Sequence, residues 1–164
     1  PHEEGRSGYI APEARNAVLG TMDSKSRQFG ASVDTLQHLG ARFIVTPHTH
    51  PPLIRHAVAA GMQVVAGFAT ASEAFAALDA GAQMLKLFPA ATYGPGHVRA
   101  LRAVLPAVPL FVVSGVTPLT LTDYLAAGST GAGIGGELYR PGQPIERTRS
   151  GAREFRLVQT AYRP

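Results

Sequence analysis

The sequence predicts an α/β fold of the (β/α)8 TIM-barrel type, incomplete, with about six βα units visible in 164 residues. Three observations predict it. Short apolar runs alternate with alanine-rich helical segments at a spacing of about twenty residues, which means parallel βα units. The runs are continuously apolar rather than alternating, as in a sheet covered on both faces. Each run ends in a polar or glycine-rich stop, and a barrel gathers its chemistry at the carboxyl ends of its strands. These stops are Gly20-Thr21, Thr46-Pro47-His48, Gly67 with Thr70, Pro89, Ser114-Gly115 and Gly135-Gly136. An open doubly wound sheet fits the alternation too, but the dinucleotide fingerprint is missing after the first run, which reads Leu19-Gly20-Thr21-Met22. The six visible units already occupy the chain from Ala17 onward, which leaves no room for eight, so two are expected to be missing at the front of a single, partial barrel domain over residues 1–164.

The elements follow in order. The apolar runs are Ala17-Val18-Leu19, Phe43-Ile44-Val45, Val64-Val65-Ala66, Met84 to Phe88, Leu110 to Val113 and Gly131 to Ile134. The helical segments are about 31–39, 50–60, 71–80, 95–104, 118–127 and 145–161. Gly40, Gly61, Gly81 and Gly128 stand where helix-ending glycines belong. Residues 1–15 and the stretch from Asp23 to Gly30 are weakly patterned, and no second domain is visible.

Composition narrows the function. With 45% hydrophobic and 16% charged residues the chain can bury a sizeable core. It has no cysteine, hence no disulfide framework and no thiolate metal site. No apolar stretch approaches the roughly twenty residues that span a bilayer, and His2-Glu3-Glu4 does not resemble a signal peptide, so no membrane partner and a cytoplasmic setting are expected. The formal charge of +4 comes from scattered arginines without interleaved aromatics or tryptophan. That pattern fits a field attracting small anionic metabolites better than a nucleic-acid surface.

Lys86 is the most informative residue. Of fifteen basic residues only Lys25 and Lys86 are lysines, and Lys86 sits inside the apolar run Met84-Leu85-Lys86-Leu87-Phe88-Pro89. Desolvation disfavours an ammonium and pushes a buried lysine toward its neutral, nucleophilic form, which can attack a carbonyl and form a Schiff base. The competing reading is a lysine that snorkels from a strand end or pairs with a carboxylate.

Ser114-Gly115-Val116-Thr117-Pro118 and Gly131-Ala132-Gly133-Ile134-Gly135-Gly136 close two consecutive late strands. Adjacent glycine-rich loops in this position read as a phosphate cradle, because backbone N–H groups approach an anion closely; turn and packing glycines are the alternative. Thr21 and Thr70 lie just past strands, where their hydroxyls suit a carboxylate or a carbonyl oxygen. Thr70 with Glu73, however, forms a Thr-x-x-Glu capping box that alone accounts for both. His48-Thr49-His50 lacks a third ligand at a recognisable spacing, so it reads as a polar turn, with His48 at a site rim, rather than as a metal site. His38, His56 and His97 fall on predicted helices as surface or boundary residues.

Phe43-Ile44-Val45-Thr46-Pro47, Gly67 to Ala74, Gly81 to Ala90 with its Lys-x-Phe-Pro motif, Ser114 to Pro118, and Gly135-Gly136-Glu137-Leu138-Tyr139 together resemble the KDPG/KHG aldolase family. The ending Leu138-Tyr139-Arg140-Pro141-Gly142-Gln143 looks most like its galactonate branch. The resemblance runs from about residue 16 onward. It implies a homotrimeric barrel and a class I aldolase that needs no metal or organic cofactor. The substrate would be a small phosphorylated keto acid, a 2-dehydro-3-deoxy-6-phospho-aldonate, cleaved to pyruvate and glyceraldehyde 3-phosphate. Lys86 matches the Schiff-base lysine, and Thr21 a contact to the pyruvate carboxylate. Pro89 and Phe88 match the wall beside the lysine, and Ser114-Gly115 and Gly135-Gly136 the phosphate loops.

The departures are specific. Relatives begin with two further βα units, one with an Ile-Leu-Arg-like stretch and one ending in a glutamate that serves as general acid/base. Neither pattern occurs before Asn16, and Glu3, Glu4 and Glu13 lack the strand context for that role. Relatives often carry Gly-Ser where this chain has Gly135-Gly136, and often Asn in place of His48. A truncated, catalytically impaired phosphate-binding remnant is therefore the rival expectation, and a different phosphate-binding barrel with a structural Lys86 is a third.

Overall fold

A computed structural model describes residues 33–162. The described chain runs α1 (33–38), β1 (Phe43–Val45), α2 (Pro51–Ala59), β2 (Gln63–Phe68), α3 (Ala71–Asp79) and β3 (Met84–Leu87). It continues through α4 (Ala90–Arg102), β4 (Leu110–Val113), α5 (Pro118–Ala126), β5 (Gly131–Gly133) and α6 (Ile145–Ala161). The expected run Ala17–Leu19 lies outside the described residues, as do Glu3, Glu4, Glu13 and Thr21.

The five strands form one parallel sheet in the order β1-β2-β3-β4-β5. That order has no reversal point, which separates it from a doubly wound sheet and gives the curled half-barrel of singly wound βα units. Helix starts and stops follow local chemistry. Thr70 caps α3 and Thr117 caps α5 through capping boxes, and the His50 ring nitrogen takes the Leu53 N–H at the start of α2. Gly61 and Gly128 end their helices at φ 77° and 102°, as the sequence required.

One face of the sheet is sealed by the helices. Val64, Ala66, Leu85, Leu87, Leu110 and Val112 are fully buried there, with Phe68 at 2% exposure. Burying each of the larger side chains contributes about 1.5–3 kcal/mol. The opposite face carries Val45, Val65, Met84, Phe111 and Val113, all half-buried, and Phe43 at 47% exposure. Continuous apolar strands imply cover on both faces; among the described residues the helices seal one face, and the side chains of the other are half-buried.

α4 differs from expectation at its start. It begins at Ala90 rather than near residue 95, with a break at Gly94 (φ 72°, ψ 173°) that separates a first turn, directly after the Lys86 strand, from the continuing helix. The Gly94-Pro95-Gly96 composition hid that turn from the sequence reading.

Candidate functional site

Lys86 lies in the middle of β3 and retains 8% exposure. Its register neighbours are Gly67 on β2 and Phe111 on β4. Paired residues of adjacent strands point to the same face. The lysine therefore rises from the half-buried face, while Leu85 and Leu87 anchor the other side of its strand. No carboxylate is paired with it among the described residues. Its Nζ lies 5.3 Å from the centroid of the Phe88 ring. Burial pushes the ammonium below the ordinary lysine value of 10.5.

The strap 46–49 crosses this face beside the lysine. Thr46 Oγ1 accepts the Gly67 N–H (3.1 Å) and donates to His48 O (2.9 Å), while Thr49 Oγ1 donates to Gly67 O (2.8 Å) and Glu73 O (3.1 Å). A Cβ on Gly67 would collide with the Pro47 carbonyl group and lie 2.6 Å from the His48 nitrogen. The absent side chain of Gly67 is thus the space in which the strap is seated. Sequence reading placed Thr46, Pro47 and Gly67 at strand ends but had no signal for their contact.

Beyond Gly67, the Ala69-Thr70 segment is held from two sides. Glu73 Oε2 accepts from Ala69 N (2.9 Å), Thr70 N (2.8 Å) and Thr70 Oγ1 (2.9 Å). On the other side, the His97 Nε2 pairs with Ala69 O at 2.8 Å, and its ring stacks on Tyr93 at 4.8 Å between centroids. Glu73 is therefore occupied in capping, as its spacing implied. His97 is a half-buried boundary residue, as expected, and its hydrogen bond to the strand-end carbonyl of Ala69 is the part that the sequence did not reveal. His48 is exposed at the rim, with its ring edge-on to His50 at 6.1 Å.

Ser114 and Gly115 follow β4 with φ of 83° and 69°, a turn in which even the serine adopts the left-handed region. Ser114 O accepts the Ala91 N–H at 3.1 Å, so this turn is tied to the first turn of α4. Pro89, the residue between that turn and the lysine strand, follows a cis peptide bond. Gly135 and Gly136 follow β5, which registers with β4 through Val113 and Gly133. Both are exposed, and the N–H groups of Gly115 and Gly136 have no protein acceptor among the described residues.

Seven of the eight residues matched to site roles in the sequence thus stand on or after three adjacent strands: Lys86, Phe88, Pro89, Ser114, Gly115, Gly135 and Gly136; the eighth, Thr21, lies outside the described residues. Two clefts of about 340 and 420 Å³ lie elsewhere, among β5, α5 and α6, and Lys86 lines neither. Neither cleft is lined by the turns at Ser114-Gly115 and Gly135-Gly136. No group of three His, Cys, Asp or Glu residues is arranged to hold a metal among the described residues, and no helix there is long and apolar enough to cross a membrane.

Comparison with known proteins shows the family to which this architecture is related. The family model for KDPG and KHG aldolase matches residues 18–148. A 2-dehydro-3-deoxy-6-phosphogalactonate aldolase of Escherichia coli (strain K12) is 52% identical over 124 residues, 75% of this chain and 60% of the relative. A probable enzyme of the same name from Rhizobium meliloti (strain 1021) is 42% identical over 113 residues, 68% of this chain and 53% of the relative. The chain thus spans between half and two thirds of the length of these curated relatives. A solved structure described as native KDPGal superposes with a TM-score of 0.76 at 38% identity, covering 92% of this chain and 90% of that one.

Proposed function

This chain belongs to the KDPG and KHG aldolase family, and we propose that it carries the Schiff-base half of a class I aldolase acting on a 2-dehydro-3-deoxy-6-phospho-aldonate, with the galactonate favoured. The observation that carries this reading is Lys86 itself, a buried amine on β3 without a counter-charge among the described residues. The galactonate preference rests on the two relatives of that name.

In the proposed reaction the neutral Lys86 amine adds to the C2 ketone, and loss of water leaves a protonated imine. A base removes the C4 hydroxyl proton as the C3–C4 bond breaks. The bonding pair moves into the imine, giving an enamine on Lys86 and releasing glyceraldehyde 3-phosphate. Protonation at C3 and hydrolysis then return pyruvate and the free amine. Phe88 and Pro89 wall the amine from water. The turns at Ser114-Gly115 and Gly135-Gly136 hold the phosphate, so that remote binding orients the reacting centre. Thr21 is assigned to the pyruvate carboxylate on the family match alone, and the base has no assigned residue.

Closure of the sheet into a full (β/α)8 barrel, a single domain over 1–164, assembly as a homotrimer and a cytoplasmic setting belong to the same proposal. Sedimentation and chemical cross-linking test the assembly. The central test is borohydride reduction in the presence of pyruvate. A covalent pyruvate-derived adduct located on Lys86 by peptide mass spectrometry is the expected result. A folded protein that traps no adduct supports the rival reading of a phosphate-binding remnant.

A further inference from the structure

The exit of the lysine strand is held by contacts that the proposed reaction does not use. Tyr124, on α5, is 3% exposed, and its hydroxyl donates to Ala90 O at 2.9 Å. Burial pushes its phenol upward, so it remains a neutral donor. Ala90 is itself fully buried and stands four residues after Lys86. The next residue, Ala91, donates its N–H to Ser114 O. Gly115 is pressed against the same alanine: a Cβ added there would lie 2.5 Å from the Ala91 Cβ. α5 starts at Pro118, immediately beyond the Ser114–Thr117 turn, so Tyr124 and the turn belong to one continuous unit.

The contacts therefore close a ring. The Ser114-Gly115 turn touches Ala91, Ala90 is held by Tyr124, and Tyr124 returns through α5 to the turn. The Phe88-Pro89 wall of Lys86 leads directly into the Ala90-Ala91 side of that ring. Close-packed contacts of this kind transmit displacement instead of absorbing it. We propose that Tyr124 and the Ala90-Ala91 peptide link the Ser114-Gly115 turn to Lys86, so that an anion settling on the turn sets the reactivity of the lysine. Tyr124 is a positioning residue in this scheme, since it touches neither the amine nor the anion. The link rests on the reading of Lys86 as the Schiff-base lysine. It gives that reading a physical route by which phosphate recognition favours imine formation, and linkage requires the reverse effect in equal measure.

The test uses pyruvate, which lacks a phosphate, and inorganic phosphate as separate probes. Borohydride trapping at Lys86 is timed with and without phosphate, while the backbone amide signals of Ala91 and Gly115 report phosphate binding by NMR. In the wild-type chain phosphate should shift both signals and raise the trapping rate about fivefold, the lower end of typical couplings. Phosphate should also bind more tightly to the trapped protein than to the free one.

Tyr124→Phe should still trap pyruvate, and phosphate should no longer accelerate it. Arg102→Met controls for general destabilisation. It removes hydrogen bonds to Gly128 O and Val108 O, beyond the end of α5 opposite the Ser114–Thr117 turn, without touching Ala90, Ala91 or the Tyr124 hydroxyl, and should keep the acceleration. Phosphate that shifts Gly115 but leaves the wild-type trapping rate unchanged overturns the link and leaves the aldolase reading standing. Equal acceleration in Tyr124→Phe does the same. Absence of any adduct on Lys86 overturns both. Should Tyr124→Phe fail to fold, the wild-type measurements alone decide between these outcomes.

Discussion

Gly67 and Lys86 are direct register neighbours on β2 and β3, and the Pro47-His48 peptide fills the place where a side chain on Gly67 would stand. The obstruction is backbone, which yields less readily than the end of a flexible side chain. Gly67→Ala should therefore push the strap off β2 and break the paired hydrogen bonds of Thr46 and Thr49. Overpacking of a tight site costs about 1–3 kcal/mol, and chemical denaturation should show a loss of that order. Because the displaced strap lies beside the lysine, adduct trapping should fall as well. Unchanged stability together with unchanged trapping would show that the strap is not seated as described.

Lys86 links site chemistry to stability. Burial lowers its pKa, so in the folded state the amine loses its proton at a pH where the unfolded chain still holds one. Between the lowered folded value and the ordinary 10.5 the unfolded state binds more protons, and stability rises with pH across that window. Lys86→Met keeps an unbranched side chain without the charge. It should be more stable than wild type at neutral pH and lack the alkaline rise, as read from urea unfolding at several pH values. A parallel pH dependence in the two proteins would mean that the amine is not desolvated.

Much of this architecture is legible in the sequence because local chemistry sets it. Continuous apolar runs located the strands from Phe43 onward, glycines marked helix ends, and Thr70 with Glu73 announced a cap that the structure contains. The isolation of Lys86 in an apolar run foretold its burial. What stayed hidden depends on contacts far apart in the chain. Tyr124 reads as one more apolar helix residue until its hydroxyl meets Ala90, 34 residues away. His97 reads as a surface or boundary residue of a helix, and nothing local reveals its partner Ala69, 28 residues away. Gly67 reads as a strand-end glycine, since nothing local reveals which backbone will lie against it.

Glu73 should contribute to acid sensitivity. Burial raises its pKa, but the hydrogen bonds from Ala69 and Thr70, with the nearby His48, outweigh burial and bring it below the ordinary 4.5. Its stabilisation is therefore complete above the unfolded value and is lost as pH falls through the folded one. Glu73→Gln keeps an acceptor in the capping box but loses the charge in the first turn, so it should lower stability at pH 7 by about 0.3–1 kcal/mol. The gap between wild type and variant should narrow in acid. A gap that stays constant down to the acid-unfolded limit would remove the carboxylate from this role.

Gly135→Asp separates binding from folding at the proposed phosphate turn. Gly135 is exposed, its φ lies outside the positive region, and a Cβ there meets nothing within 4 Å. The substitution should therefore change stability by no more than about 0.5 kcal/mol, as for an ordinary surface site. A carboxylate placed beside a phosphate in a partly desolvated turn repels it, and a tenfold loss of affinity corresponds to about 1.4 kcal/mol. KM for a phosphorylated keto acid should rise about tenfold or more, because the repulsion acts at the end of the substrate farthest from the amine. Exchange of the pyruvate methyl protons with solvent, which requires the imine but no phosphate, should stay near the wild-type rate. Equal losses in both reactions, with the fold intact, would place Gly135 beside the lysine and remove it from the phosphate site.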